Sequence, residues 1–268
     1  MPELAEVETV RNVLKKQILH KKIKNINILY PKMIENDINY FNNLINDSFI
    51  DIKRRGKYLI FETNKYYLIS HLRMEGKYFI KPQNAPIEKH EHVIFDFDDF
   101  TMRYHDTRKF GRMKLIEKNS LEDYFKDVGP DANSNPDSKT IYDKIKKSNK
   151  PIKTILLDQS IIAGLGNIYV DEVLYASNIN PSRIGKDISL DDVNNILNSS
   201  KEILDKAIEY KGTTIRSYTS SLGVEGSYQQ FLCVHTKDGN PCKKCNSIIE
   251  KTRIGGRSTY YCPKCQAK

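Results

Sequence analysis

The sequence predicts an α+β protein. An N-terminal helix and an antiparallel β-domain come first, then a helical segment, then a small cysteine-bound tail. Three observations lead there. Apolar residues recur at helical spacing over residues 3–19, the period is two from about Lys57 to Glu117, and four of the five cysteines fall within 242–268.

The first helix follows from Leu4, Val7, Val10, Val13, Leu14 and Ile18, which recur at i+3 and i+4. Pro2 suits the start of such a helix, and Glu3, Glu6 and Glu8 suit its positive N-terminal end. Strands are expected at Lys57–Thr63, Tyr66–Arg73, Lys77–Lys81, His92–Phe97, Thr101–His105 and Arg112–Glu117. Asn64-Lys65 and Asp98-Asp99 are short enough for hairpin turns, so the sheet is an antiparallel sandwich or barrel with the first helix packed on it.

Residues 118–138, with Gly129-Pro130-Asp131 and Asn133-Ser134-Asn135-Pro136, read as a linker. Beyond it the chain turns helical. Ser189-x-x-Asp192 is a capping box ahead of Val193, Ile196, Leu197, Ile203, Leu204 and Ile208, and that helix ends near Gly212. The expected domains are 1–117, 139–226 and 227–268, joined by the 118–138 linker.

The cysteines stand as Cys242-x2-Cys245-x16-Cys262-x2-Cys265. Each pair lets one tight turn offer two thiolates, and two turns close a tetrahedron round one Zn²⁺ with no open position. The tail is therefore expected to be a zinc ribbon whose one ion is structural. Six lysines and two arginines in 227–268 meet only Asp238 and Glu250, so the ribbon suits a polyanion. Arg257 falls between the pairs, where a ribbon hairpin has its tip. Cys233, in Phe231-Leu232-Cys233-Val234, reads as a small buried hydrophobe.

The chain of 268 residues has a formal net charge of +9, which favours nucleic acid or an anionic surface. No apolar run approaches the roughly 20 residues that span a bilayer, and the acidic N-terminus does not suit a signal peptide. A cytoplasmic protein is expected, with no membrane partner and no organic cofactor.

Met1-Pro2-Glu3-Leu4-Ala5-Glu6-Val7-Glu8-Thr9 resembles the start of the bacterial formamidopyrimidine-DNA glycosylases, also called 8-oxoguanine DNA glycosylase/AP lyases. The resemblance runs on through Arg55-Gly56-Lys57-Tyr58-Leu59, His71-Leu72-Arg73-Met74-Glu75-Gly76 and Asp106-Thr107-Arg108-Lys109-Phe110-Gly111. It continues in Gly164-Leu165-Gly166-Asn167-Ile168-Tyr169-Val170-Asp171-Glu172 and ends in the ribbon. Ala5, where the family has proline, and Val234-His235-Thr236-Lys237 depart from its pattern.

The resemblance implies a β-sandwich, a helix–two-turns–helix domain, and a monomer holding damaged duplex DNA in the cleft between domains, associated with the bacterial nucleoid. It implies that Pro2, freed of Met1, is a nucleophile: a terminal amine has a reference pKa of about 8, so more of it is neutral than of a lysine. Glu3 becomes the general acid, with Glu6 assisting proton transfer. Lys57 becomes the proton donor in β-elimination, and Arg257 the phosphate ligand that assists δ-elimination. A damaged base must leave the stack to react, and Met74, Arg108 and Phe110 match the residues that fill the gap. His71, His90, Lys150, Lys153, Asn167 and Tyr169 are the further expected DNA contacts, with free amides at the helix start after Gly166 binding phosphate. Residues 211–230 resemble the loop that covers the flipped base.

The residues alone leave other readings open. Pro2 can simply start a helix, Met74 and Phe110 can be core, and the lysines can be a solvated face. The family's sibling that acts on oxidised pyrimidines shares the Pro-Glu start, and a non-enzymatic zinc-ribbon nucleic-acid-binding protein would share the charge.

Overall fold

A computed structural model describes residues 1–213 and 226–267. They divide into two compact units. The first holds Met1–Pro2, Glu6–Lys126, Thr213 and Gly226, and the second holds Glu3–Ala5, Asp127–Gly212 and the chain from Ser227.

In the first unit, α1 (Leu4–Ile18) turns Val7, Val10, Leu14 and Ile18 into the core. Two antiparallel four-stranded sheets follow. One has β1 (Asn25–Ile28), β6 (Glu91–Asp96), β7 (Phe100–His105) and β5 (Lys77–Pro82) in that order. The other has β2 (Asp51–Arg55), β3 (Tyr58–Glu62), β4 (Tyr66–His71) and β8 (Arg112–Glu117). Phe61, Leu68 and Leu115 of one sheet share a core with Phe95, Met102 and Tyr104 of the other, which makes the domain a sandwich.

Six strands fall where the alternation puts them. β1 and β2 do not show in the sequence because neither has a full apolar face. β1 is half-exposed along its length, and β2 buries Ile52 alone among Asp51, Lys53, Arg54 and Arg55. Lys57 is not the first residue of a strand; Gly56-Lys57 is the two-residue turn between Arg55 and its partner Tyr58. The stretch 118–138 contains the short helix α2 (Leu121–Tyr124) and a wholly buried Phe125.

The second unit packs α3 (Ser138–Ile145), α4 (Ile152–Leu156), α5 (Asn167–Ala176) and α6 (Leu190–Glu209) round one apolar core. α4 leads through two successive turns, Asp158 N to Ile155 O at 3.0 Å and Ile161 N to Asp158 O at 3.1 Å, towards α5. The α6 capping box forms as expected: Ser189 Oγ accepts from Asp192 N, and the Asp192 carboxylate accepts from Ser189 N. α3 and α4 are too short to carry a periodic signal.

The tail belongs to the second unit. β9 (Glu250–Ile254) and β10 (Arg257–Tyr261) pair antiparallel across Gly255-Gly256. Both glycines have positive φ, 56° and 76°, as a tight hairpin turn of primed type needs. Among the described residues no helix is long and apolar enough to cross a membrane.

Candidate functional site

The N-terminal carboxylate Glu3 belongs to the second unit, where it is 2 % exposed. Its Oε2 accepts from Gly166 N at 2.6 Å and Tyr169 N at 3.3 Å, and its Oε1 from Ile168 N at 2.9 Å. Gly166 is the N-cap of α5 and has no side chain to cap with, so Glu3 supplies the missing acceptor from 163 residues away. The amides expected to bind phosphate at this helix start are therefore occupied. Three donors suit a carboxylate anion.

Glu6 and Lys57 lie in the first unit. Glu6 is buried, and its Oε1 accepts both the backbone N–H and the hydroxyl of Thr213, at 2.8 and 3.1 Å. It thus anchors the residue before 214–225, a segment outside the described residues; the covering loop expected at 211–230 falls mainly there. Lys57 is buried too, so it is no solvated lysine. A clamp invisible in the sequence holds its turn: Arg54 donates to the Gly56 carbonyl at 3.0 Å and to Glu8 Oε2 at 2.8 Å. Glu8, read from sequence only as a residue favoured at a helix start, also pairs with Arg11.

His71 ends β4 with its ring edge-on to Tyr58, centroids 4.5 Å apart. Its Nδ1 accepts from Arg73 N at 2.9 Å, which requires a neutral ring. Burial, with Arg73 and Lys57 nearby, holds its pKa down at about 3.

Two loops of the same unit carry the expected gap-filling residues. Met74 is half-buried in the β4–β5 loop, so it is not core. Phe110 is 46 % exposed in the β7–β8 loop, with the Arg108 guanidinium 4.7 Å over its ring. Asp106 shapes that loop, accepting from Arg108 N at 2.9 Å and Gly111 N at 2.8 Å. Thr107 hydrogen-bonds Glu75 from loop to loop. Both loops also close on the Tyr104 hydroxyl: a Cβ on Gly76 or Gly111 would lie 1.9 or 1.8 Å from it. Asp106, Tyr104 and the two glycines thus fix the two loops that carry Met74, Arg108 and Phe110. The sequence names Asp106 and the glycines only as parts of motifs.

His90 is half-buried beside the His105 ring, centroids 5.7 Å apart. Burial, then His90 and Lys77, lower the His105 pKa. Lys150 in the second unit is exposed. Arg257 is exposed directly after the ribbon turn, and Asn167 donates to the neighbouring Ser258 carbonyl at 3.0 Å.

Two expected DNA contacts have no surface to offer. Tyr169 is wholly buried in the second core, its ring 5.8 Å from that of Tyr228. Lys153 is also wholly buried, and its ammonium is spent on Asp171 at 2.8 Å, Ser258 O at 2.8 Å and Thr259 Oγ1 at 2.9 Å. Burial pushes its pKa down while Asp171 opposes the shift, and three acceptors fit the charged form. A lysine in a polar, basic segment reads as solvated because its buried partners lie 18 and about 105 residues away.

The four ribbon cysteines have all their sulfurs within 4.8 Å of one another. Cys242 and Cys265 Sγ are 3.8 Å apart, Cys245 and Cys262 Sγ 3.4 Å. A tetrahedral Zn²⁺ with bonds of about 2.3 Å needs sulfurs roughly 3.8 Å apart, whereas a disulfide needs about 2 Å. Tyr175 hydroxyl and Lys244 N–H approach Cys242 Sγ at 3.2 and 3.4 Å, as supports of a metal-bound thiolate do. The set fits one structural zinc.

A sandwich bearing an N-terminal Pro-Glu, a helix–turns–helix core and a four-cysteine ribbon define a class of DNA-repair glycosylases. Residues 1–113 match the formamidopyrimidine-DNA glycosylase N-terminal domain, 128–219 its H2TH domain, and 239–268 the zinc finger found in FPG and IleRS. The formamidopyrimidine-DNA glycosylase of Streptococcus pneumoniae serotype 4 is 46 % identical over 273 residues, covering all of both chains. That of Streptococcus mutans is 45 % identical over 99 % of both. A Lactococcus lactis FPG mutant in complex with Fapy-dG-containing DNA superposes with a TM-score of 0.95 at 43 % identity over the whole of both chains. The Lactococcus lactis Fpg complex with abasic-site DNA gives 0.93 at 42 %, over 99 % of this chain and all of that one. The chain belongs to the formamidopyrimidine-DNA glycosylase family.

Proposed function

We propose that this chain is a base-excision repair DNA glycosylase and AP lyase that removes oxidised purines from duplex DNA. The observation that carries the reading is the Glu3 carboxylate, next in the chain to Pro2 and fixed by three amides at the start of α5, those of Gly166, Ile168 and Tyr169. Family membership over the full length supports it.

The chemistry begins when Met1 is removed and Pro2 becomes a secondary amine. Its lone pair attacks C1′, and the glycosidic electron pair leaves with the base, which takes a proton. The amine proton goes to Glu3, whose amide-bound anion is an acceptor first, and Glu3 returns it to O4′ as the sugar ring opens. Glu3 is thus an acid only after serving as a base. The iminium makes the C2′ proton acidic; its loss expels the 3′ phosphate. Loss of a second sugar proton expels the 5′ phosphate and leaves a gap.

Lys57 moves a proton in the first elimination, and Arg257 holds phosphate for the second, since a guanidinium binds it bidentately and stays charged. Met74 and Phe110 enter the emptied stack, and Arg108 pairs with the orphaned base. His71, His90, Lys150 and Asn167 serve the backbone. Glu6 contributes by anchoring Thr213. Tyr169 and Lys153 act from within the core.

The set of Met74, Arg108 and Phe110 supports the purine branch over the pyrimidine-specific sibling. Single-turnover excision from 8-oxoguanine·cytosine and thymine glycol·adenine duplexes tests this. Preference for the first is expected, and preference for the second overturns the lesion assignment.

A further inference from the structure

Arg257 does its work from a hairpin tip, and the structure shows what fixes that tip. Lys153 Nζ and Asn167 Nδ2 both donate to the carbonyl of Ser258, the residue after Arg257. Thr259 Oγ1 accepts from Lys153 and donates to the Arg257 carbonyl at 3.2 Å. A Cβ on Gly255 would come 2.7 Å from Thr154 Oγ1, so the turn rests against α4 beside Lys153. The Arg257 end of β10 is thus tied to the buried Lys153 ammonium, to Asn167 and to α4.

That ammonium is set in turn by Asp171 on α5. Asp171 Oδ1 takes Lys153, and its Oδ2 takes His235 Nδ1 at 2.8 Å. Both oxygens are spoken for, and the carboxylate can only accept, so Nδ1 carries the proton. His235 also lies edge-on to Tyr260 of β10, ring centroids 5.0 Å apart. Its own N–H and those of Cys233 and Val234 are held by Glu172, the next residue of α5. His235 sits in the stretch that departs from the family pattern, so no motif signals this arrangement.

We infer that Asp171 and His235 are positioning residues for strand cleavage: through Lys153 they hold the β10 strand at the level where the Arg257 guanidinium meets phosphate. The inference rests on the proposed lyase reading. His235 touches the Asp171 oxygen opposite Lys153 and the Tyr260 ring beside it. Removing the imidazole frees one carboxylate oxygen to swing and lets β10 shift. The glycosylase step, which uses Pro2 and Glu3, does not depend on that shift.

The test is His235→Ala and His235→Asn, both of which keep the Lys153–Asp171 pair, on an abasic duplex and on an 8-oxoguanine duplex. Zinc is first measured at one per chain. His235→Ala is expected to lower the ratio of δ- to β-elimination product about tenfold, the scale of a small misplacement of a catalytic group. Base release and borohydride trapping should stay within about twofold, and His235→Asn, whose amide can donate to Asp171, should recover most of the ratio. An unchanged product ratio in His235→Ala overturns the inference, as does an equal fall in base release and δ-elimination. Failure of the lyase reading itself shows separately, as wild-type protein that cuts no strand.

Discussion

The Gly166 amide donates to Glu3 Oε2 at 2.6 Å, and a Cβ on Gly166 would lie 2.3 Å from the Glu3 carboxyl carbon. Only glycine lets α5 start against this carboxylate, so the helix cap and the carboxylate proposed to react share one contact. Gly166→Ala should displace Glu3, cost about 1–3 kcal/mol of stability and slow excision about a hundredfold. Urea unfolding and single-turnover kinetics on the same sample check both.

Phe110 separates binding from folding, because its ring is exposed in a loop and belongs to no core cluster. Phe110→Ala should change stability by less than about 0.5 kcal/mol yet weaken binding to a lesion duplex about tenfold, the order of one lost stacking contact. A fluorescence titration with damaged and undamaged duplexes reads the effect, which should be larger on the damaged one.

The neutral His71 ring gives a pH dependence with a definite sign. Its folded pKa is about 3 against an ordinary 6.5, so in that window the unfolded chain binds more protons. Its contribution to stability is full above about pH 6.5 and is lost as pH falls towards 3, at up to about 1.4 kcal/mol per pH unit. His71→Gln should flatten the stability profile between those limits, as denaturant unfolding at a series of pH values will show.

Removing zinc should unfold the ribbon, since structural zinc sites of this type contribute on the order of 10 kcal/mol of binding free energy. A strong chelator should abolish strand cleavage, and one equivalent of Zn²⁺ should restore it. The far-ultraviolet strand signal of the sandwich should persist, because its core contains no ribbon residue.

Much of this is legible in the sequence, for physical reasons. Leu4 to Ile18 repeats with the helix, β3 to β8 alternate with the pleat, and Cys242 to Cys265 keep the spacing of one tetrahedral ion. What the sequence hides is long-range polar pairing. Glu3 capping α5, Glu8 holding Arg54 and Lys153 buried beside Asp171 are contacts that skip along the chain, the first of them across 163 positions. Periodicity has no term for such contacts. The family resemblance puts Lys153 and Tyr169 on DNA, and burial overrides that expectation for their side chains.

In the proposed reaction Pro2 attacks the sugar. Borohydride trapping on an 8-oxoguanine·cytosine duplex tests it most directly, using zinc-loaded protein shown to lack Met1, with Pro2→Gly alongside. A covalent protein–DNA adduct is expected, lost or strongly weakened in the variant. No adduct from the wild-type protein, or an undiminished adduct from Pro2→Gly, would contradict it.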